Sequence, residues 1–249
     1  MTTEQKLATT WFDTAKVRTL RAQSQAYSTK EDLWSWYVLR RLSIFVTIVF
    51  LKCRLTPNAV SWLSAFFVVA SGVWVMQATP LSFVIAFFCY NIGYLFDCVD
   101  GEMARLTGKT SRKGYFIDLL IQGATLPVYL SILLAILTMA DRLQLSSSES
   151  VIVYGVVTCI IMALFIPISY QLTHATHADQ RDPVNQIRTK ALLWQFVGVL
   201  LGLPGFFVTS ALLSVSVGML LTGWYLVGFL LLMVCKVGAR FVVTLRTFQ

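Results

Sequence analysis

Residues 97–123 read DCVDGEMARLTGKTSRKGYFIDLLIQG. One apolar run ends in this stretch, a basic loop crosses it, and a second apolar run begins in it. Asp97, Asp100 and Asp118 stand at the rims of those runs, where an unpaired carboxylate is costly. Taken as helical, 97–105 puts Asp97, Asp100, Gly101 and Ala104 at i, i+3, i+4 and i+7, on one face. Two carboxylates one turn apart repel unless a cation lies between them. Gly101 and Ala104 keep that face shallow enough for a ligand or another helix to approach. Gly114, Asp118 and Gln122 recur every four residues and form a stripe on the next helix. The connecting loop, about eight residues long, makes the two helices antiparallel neighbours. Asp118 is therefore expected to face Asp97 and Asp100 across a cleft. Glu102, two residues past Asp100, is expected to point away from their shared face.

Facing carboxylates at a membrane edge suit a hard divalent cation, Mg²⁺ or Mn²⁺, with positions left for water and substrate phosphates. Arg105, Lys109, Arg112 and Lys113 supply anion partners beside them. Acid, metal, phosphate and base in one pocket point to phosphoryl transfer. An Asp paired with an Arg, or an ion path, is the structural alternative; small residues sharing a face with the aspartates fit it poorly.

The surrounding chain is that of an all-α integral membrane protein. Of its 249 residues 57% are hydrophobic and 13% charged, against about 25% charged in soluble domains. Six runs are long enough to span a bilayer: about 58–77, 81–104, 114–140, 150–176, 191–209 and 211–235. Pro204 and Gly205 are expected to kink or end the fifth. Residues 1–32 form a polar cytoplasmic arm with no signal-peptide pattern. Residues 33–54 are apolar but carry Arg40 and Arg41, which suits an amphipathic helix lying in the interface better than a span. Residues 55–249 form the six-helix domain. Thr56 is placed to cap its first helix, with Pro57 at the first helical position.

Charge sets the orientation. With the N-terminus inside, 19 of the 20 Lys and Arg residues fall at cytoplasmic positions, Arg142 being the exception. The acidic stretch then faces the cytoplasm. The net charge of +8 matches this rule and an anionic lipid surface; no base-stacking motif accompanies it, so nucleic acid is not expected as a partner.

Other residues read blandly. Cys53, Cys89, Cys98, Cys159 and Cys235 form no CxxC pair and read as small buried hydrophobes. His174, His177 and Asp179 read as a solvated helix end rather than a zinc site. Trp62, Trp74, Trp194 and Trp224 suit interfacial belts or packing positions. Ser64, Ala65, Gly72, Gly218 and Gly223 allow close helix packing.

The stretch resembles the signature of the CDP-alcohol phosphotransferases. In that pattern two Asp three apart are followed by Gly, then Ala-Arg, then Gly, Asp and a last Asp at fixed gaps. Asp97, Asp100, Gly101, Ala104, Arg105, Gly114 and Asp118 match, and Gln122 replaces the final Asp. LTPN at 55–58 and the Trp- and Arg-rich segment before it are also similar to the family. The resemblance implies six transmembrane helices with a metal site facing the cytoplasm. It implies displacement of CMP from a CDP-linked alcohol, such as CDP-diacylglycerol, by a polar or phosphorylated acceptor. By the same resemblance Asp97, Asp100 and Asp118 would hold Mg²⁺ or Mn²⁺. Gly101, Ala104, Arg105 and Gly114 would line the CDP site, with Pro57 and Asn58 near the nucleotide. Lys109, Arg112 and Lys113 would receive an acceptor phosphate. A homodimer in membrane lipid is implied as well.

Gln122 departs from the family where the last carboxylate acts as general base and helps hold metal. An amide offers a carbonyl oxygen to a cation but takes no proton at neutral pH. Three readings stay open: a slow transferase, a silent relative that binds CDP-linked ligand and metal, or an enzyme whose acceptor is already ionised. A transporter using the acidic cluster as a cation site is a further class, but charges spread over several spans are missing.

Overall fold

The computed structural model describes residues 7–25, 34–109, 123–144 and 201–246, with single positions between 146 and 156. Among the described residues every regular element is helical. Helix α1 is Ala15–Gln25, a π-helical turn covers Ser35–Leu39, and α2 is Arg40–Lys52. Then come α3 at Pro57–Val75, α4 at Pro80–Leu106 and α5 at Leu126–Thr138. Helices α6 at Leu203–Ser216 and α7 at Met219–Arg246 close the chain.

The chain divides into two compact units, Met1–Val68 with Asn91–Gly123, and Val69–Tyr90 with Ala124–Gln249. The first has a core of Val60, Val99 and Met103, joined by Val46, Phe50, Leu51 and Phe96. The Phe96 ring meets Phe50 at 5.3 Å and Phe67 at 5.7 Å. Here α3 and α4 cross closely, because a Cβ on Gly93 would lie 2.8 Å from the Val68 side chain and 3.0 Å from the Ser64 carbonyl oxygen. Ser64 Oγ donates to the Gly93 carbonyl at 2.8 Å, which ties the crossing. In the second unit Tyr90 stacks on Phe207 at 4.4 Å, and Phe206 packs on Phe207 and Phe229.

Three described helices are long and apolar enough to cross a membrane: α3, α4 and the Met219–Ala239 part of α7. The first two coincide with the expected runs at 58–77 and 81–104. The third run, expected at 114–140, is described only from residue 123, as a 3₁₀ turn at Gly123–Thr125 leading into α5. The run at 150–176 lies almost wholly outside the described residues. The last two runs divide elsewhere than expected. Gly202 is extended and Pro204 lies in the first turn of α6, as suits a residue with no N–H to donate; the fifth run before residue 201 lies outside the described residues. The break after α6 is at Val217 and Gly218, not near residue 210, because Gly218 takes φ +116° where a side chain would be strained.

Helix ends follow local chemistry. Thr56 Oγ1 accepts from the Ala59 N–H at 3.3 Å and Pro57 begins α3, as the sequence predicts. Helix α4 stops at Gly108, with φ +65°. The Lys109 N–H reaches the Ala104 carbonyl at 3.0 Å and the Gly108 N–H reaches Arg105 at 3.3 Å, a Schellman end. With 27 residues α4 is about 40 Å long, more than the roughly 30 Å of bilayer hydrocarbon. Some of its turns must therefore project beyond the hydrocarbon.

The segment before α3 differs from the expectation in its details. The π-helical turn at Ser35–Leu39 runs directly into the 13 residues of α2, so the two form one continuous helical segment before α3. The buried face of α2 is Arg40, Ser43, Ile44 and Thr47, while Leu42 and Val49 are exposed. The inward side of α2 is thus polar over its first turns and apolar toward its end, where Val46, Phe50 and Leu51 pack on the core. The polar arm contains α1, which buries Val17, Arg21, Ser24 and Gln25. Of the cysteines, Cys98 is buried as expected, but Cys53 and Cys235 are exposed.

Candidate functional site

The last turns of α4 have two unlike faces. Asp97 is exposed, and Asp100, Gly101 and Ala104 are half-buried. Cys98, Val99, Glu102 and Met103 are buried behind them. The periodicity of the sequence anticipated this split. Cys98, Val99 and Met103 supply the apolar contacts that hold the helix, which leaves the acidic stripe open.

Asp100 is oriented from α3. Ser61, one turn inside α3 from Pro57, donates its hydroxyl to Asp100 Oδ2 at 2.5 Å. Pro57 is the first residue of α3, and Asn58 beside it is exposed. The N-terminal turn of α3 and the acidic face of α4 thus adjoin. Arg105 curls back along its own helix: a Cβ on Gly101 would lie 3.2 Å from an Arg105 guanidinium nitrogen. With no side chain at Gly101, the guanidinium lies close over the helix backbone there. Lys109 is exposed just past the Gly108 turn. Arg112, Lys113, Gly114, Asp118 and Gln122 lie outside the described residues, as do His174, His177 and Asp179. Among the described residues no three His, Cys, Asp or Glu side chains converge on one point.

Behind the open face lies a buried polar cluster that the sequence reading missed. Glu102, fully buried, accepts from Gln25 Nε2 at 2.8 Å and from Ser43 Oγ on one oxygen. Its other oxygen accepts from Thr47 Oγ1 at 2.8 Å, and Arg40 Nη1 lies 3.9 Å from the oxygen that Gln25 and Ser43 share. Arg21, also fully buried, pairs with Asp13 at 2.7 Å and donates to the Arg40 and Arg41 carbonyls, both at 2.8 Å. Arg105 Nε donates to the Ser24 carbonyl at 2.5 Å. Burial pushes the Asp13 carboxyl up, but the hydrogen bonds from Arg21 and Thr10 outweigh it and hold the group below its ordinary value. A signal for this cluster did exist. Val17, Arg21, Ser24 and Gln25 fall at i, i+4, i+7 and i+8, a helical stripe, but a largely polar one that a hydropathy reading passes over.

Helical in every regular element among its described residues, with three helices long and apolar enough to cross a membrane, the chain is of the multi-pass membrane class. The family model for CDP-alcohol phosphatidyltransferase matches residues 54–224, and the chain belongs to that family. Its members are transferases that move a phosphate group from a CDP-linked alcohol in lipid synthesis, with a divalent metal. No curated protein matches the chain. The match begins at Arg54, so α1 and α2 lie outside it.

Proposed function

We propose that this chain is a membrane transferase that passes the phosphate-bearing alcohol of a CDP-linked donor to an acceptor, releasing CMP, at the open face of α4. The observation that carries the reading is the separation of Asp97, Asp100, Gly101 and Ala104 from the packed Cys98, Val99, Glu102 and Met103. Oxygen donors one turn apart, one of them held by Ser61, fit a hard cation. Asp97 and Asp100, with Asp118, would hold Mg²⁺ or Mn²⁺. When bound, the ion offsets charge on the diphosphate and on the departing CMP.

The chain's own residues do the rest. Gly101 and Ala104 let the diphosphate approach the helix, and Arg105 and Gly114 line its place. Pro57 and Asn58 sit toward the nucleotide. Lys109, Arg112 and Lys113 receive the acceptor's phosphate. An acceptor oxygen bonds to the phosphorus that carries the donor alcohol. The anhydride P–O bond breaks, and CMP leaves with the electron pair. A hydroxyl acceptor must also lose a proton, and Gln122 cannot take it. An ionised phosphate oxygen has no proton to lose, so Gln122 and the basic loop favour a phosphorylated acceptor. The six-span architecture, the interfacial placement of 33–54, the cytoplasmic site and a homodimer belong to the same reading.

The test is CMP release from CDP-diacylglycerol by purified protein with Mn²⁺, offering hydroxyl and phosphate acceptors in turn. Release with phosphate acceptors is the expected result. Turnover with hydroxyl acceptors alone sinks the ionised-acceptor step. Gln122 also supports a second reading, a silent member, which Mn²⁺-dependent CDP binding without release would identify.

A further inference from the structure

We infer that helix α1 is a positioning element for Arg105, coupled to it through Gln25 and the buried Glu102; this rests on the transferase reading above. Arg105 carries a fixed charge on a long, flexible side chain, and its aim depends on what holds it. One anchor is the Ser24 carbonyl, which Arg105 Nε meets at 2.5 Å. That carbonyl belongs to α1. The guanidinium therefore holds to α1 while lying over Gly101.

The carbonyl is itself fixed from the next residue. Gln25 is 2% exposed and donates to Glu102 at 2.8 Å and to the Arg40 carbonyl at 3.0 Å. Glu102 stands on α4 three residues before Arg105, so both partners of the Arg105–Ser24 bond are tied to the same helix. Arg21, one turn earlier on the same face of α1, ties it to the start of α2. A helix outside the matched family region thus reaches a residue of the acidic signature. While Nε bonds to Ser24, the two Nη groups lie over Gly101. Loosening α1 would let Arg105 swing away from the diphosphate without altering Asp97 or Asp100.

The experiment compares full-length wild type with Gln25→Ala, and with Arg18→Ala on the exposed side of α1 as control. KM for CDP-diacylglycerol, KM for the acceptor and kcat are measured with Mn²⁺. Gln25→Ala is expected to raise the donor KM about tenfold, the scale of one hydrogen bond to a charged group. Acceptor KM should hold, and Arg18→Ala should change nothing. Loss of folded protein would instead lower the apparent kcat and leave KM alone. In an Arg105→Ala background Gln25→Ala should add no further effect. An unchanged donor KM, or the same tenfold rise without Arg105, overturns the inference. If wild type binds no CDP-linked donor, the transferase reading fails. Hydrogen exchange then decides the mechanical link: faster exchange at Thr107 and Lys109 in Gln25→Ala upholds it, and unchanged exchange overturns it.

Discussion

Gln25 and Glu102 stand 77 positions apart in the chain and 2.8 Å apart in space. Glu102 is two residues from Asp100 in sequence, yet it serves the interior while Asp100 serves the open face. A carboxylate with no exposed surface is tolerated only when hydrogen-bonded and paired. Here Gln25, Ser43 and Thr47 donate to it and Arg40 is nearby.

Removing Glu102 therefore strands those donors. Glu102→Ala should destabilise the fold by about 3–5 kcal/mol, the range for breaking a buried pair from one side. Glu102→Gln keeps a carbonyl acceptor and should cost clearly less. Thermal unfolding in detergent checks the order; equal losses would mean that shape alone matters there.

The Asp13–Arg21 pair should make α1 docking sensitive to acid. The folded carboxyl titrates below its ordinary value of 3.8, so its stabilisation is fully present above that value. It drains away as pH falls from 3.8 through the lower folded value. Hydrogen exchange over 15–25 should rise across that window, and Asp13→Asn should remove the dependence. A pH response that survives Asp13→Asn would place the titrating group elsewhere.

Ser61→Ala should weaken Mn²⁺ binding about tenfold to a hundredfold, the usual effect of losing a residue that orients a metal ligand. The hydroxyl bridges α3 and α4 through Asp100 Oδ2, so its loss should also cost about 1.5–3 kcal/mol of stability. Mn²⁺ titration followed by electron paramagnetic resonance reads this directly. Unaltered affinity would remove Ser61 from the site.

Gln122→Asp should restore a carboxylate to the stripe of Asp118 and raise affinity for Mg²⁺ or Mn²⁺ while leaving the fold intact. The same titration with unchanged affinity would refute it.

Gly93→Ala should destabilise the protein by about 1–3 kcal/mol, because the new methyl would press on backbone atoms that cannot yield. Gly228→Ala meets nothing within 4 Å and should be tolerated. A tolerated Gly93→Ala would show that α3 and α4 can move apart there at little cost.

The acidic face of α4 was legible because helical spacing is local. Asp97, Asp100, Gly101 and Ala104 share a side by the pitch of the helix, whatever packs behind it. The start of α3 was legible for the same reason: Thr56 and Pro57 act on their own turn. The boundary between α6 and α7 was misplaced, since an apolar run has the same hydropathy on either side of a break. The positive φ at Gly218 marks that break, and sequence alone shows five other glycines from 202 to 238 that could have done so.

What the sequence determined by itself was the helical, membrane-embedded class and the side of α4 that carries carboxylates, because both follow from hydropathy and periodicity within one segment. The tertiary structure alone decided that a polar arm docks as α1, that Glu102 anchors it, and that Ser61 and Ser24 hold Asp100 and Arg105. Those are hydrogen bonds between residues 39 to 81 positions apart. The energy of a buried polar group depends on which donor arrives to meet it, and no local pattern specifies a partner that distant.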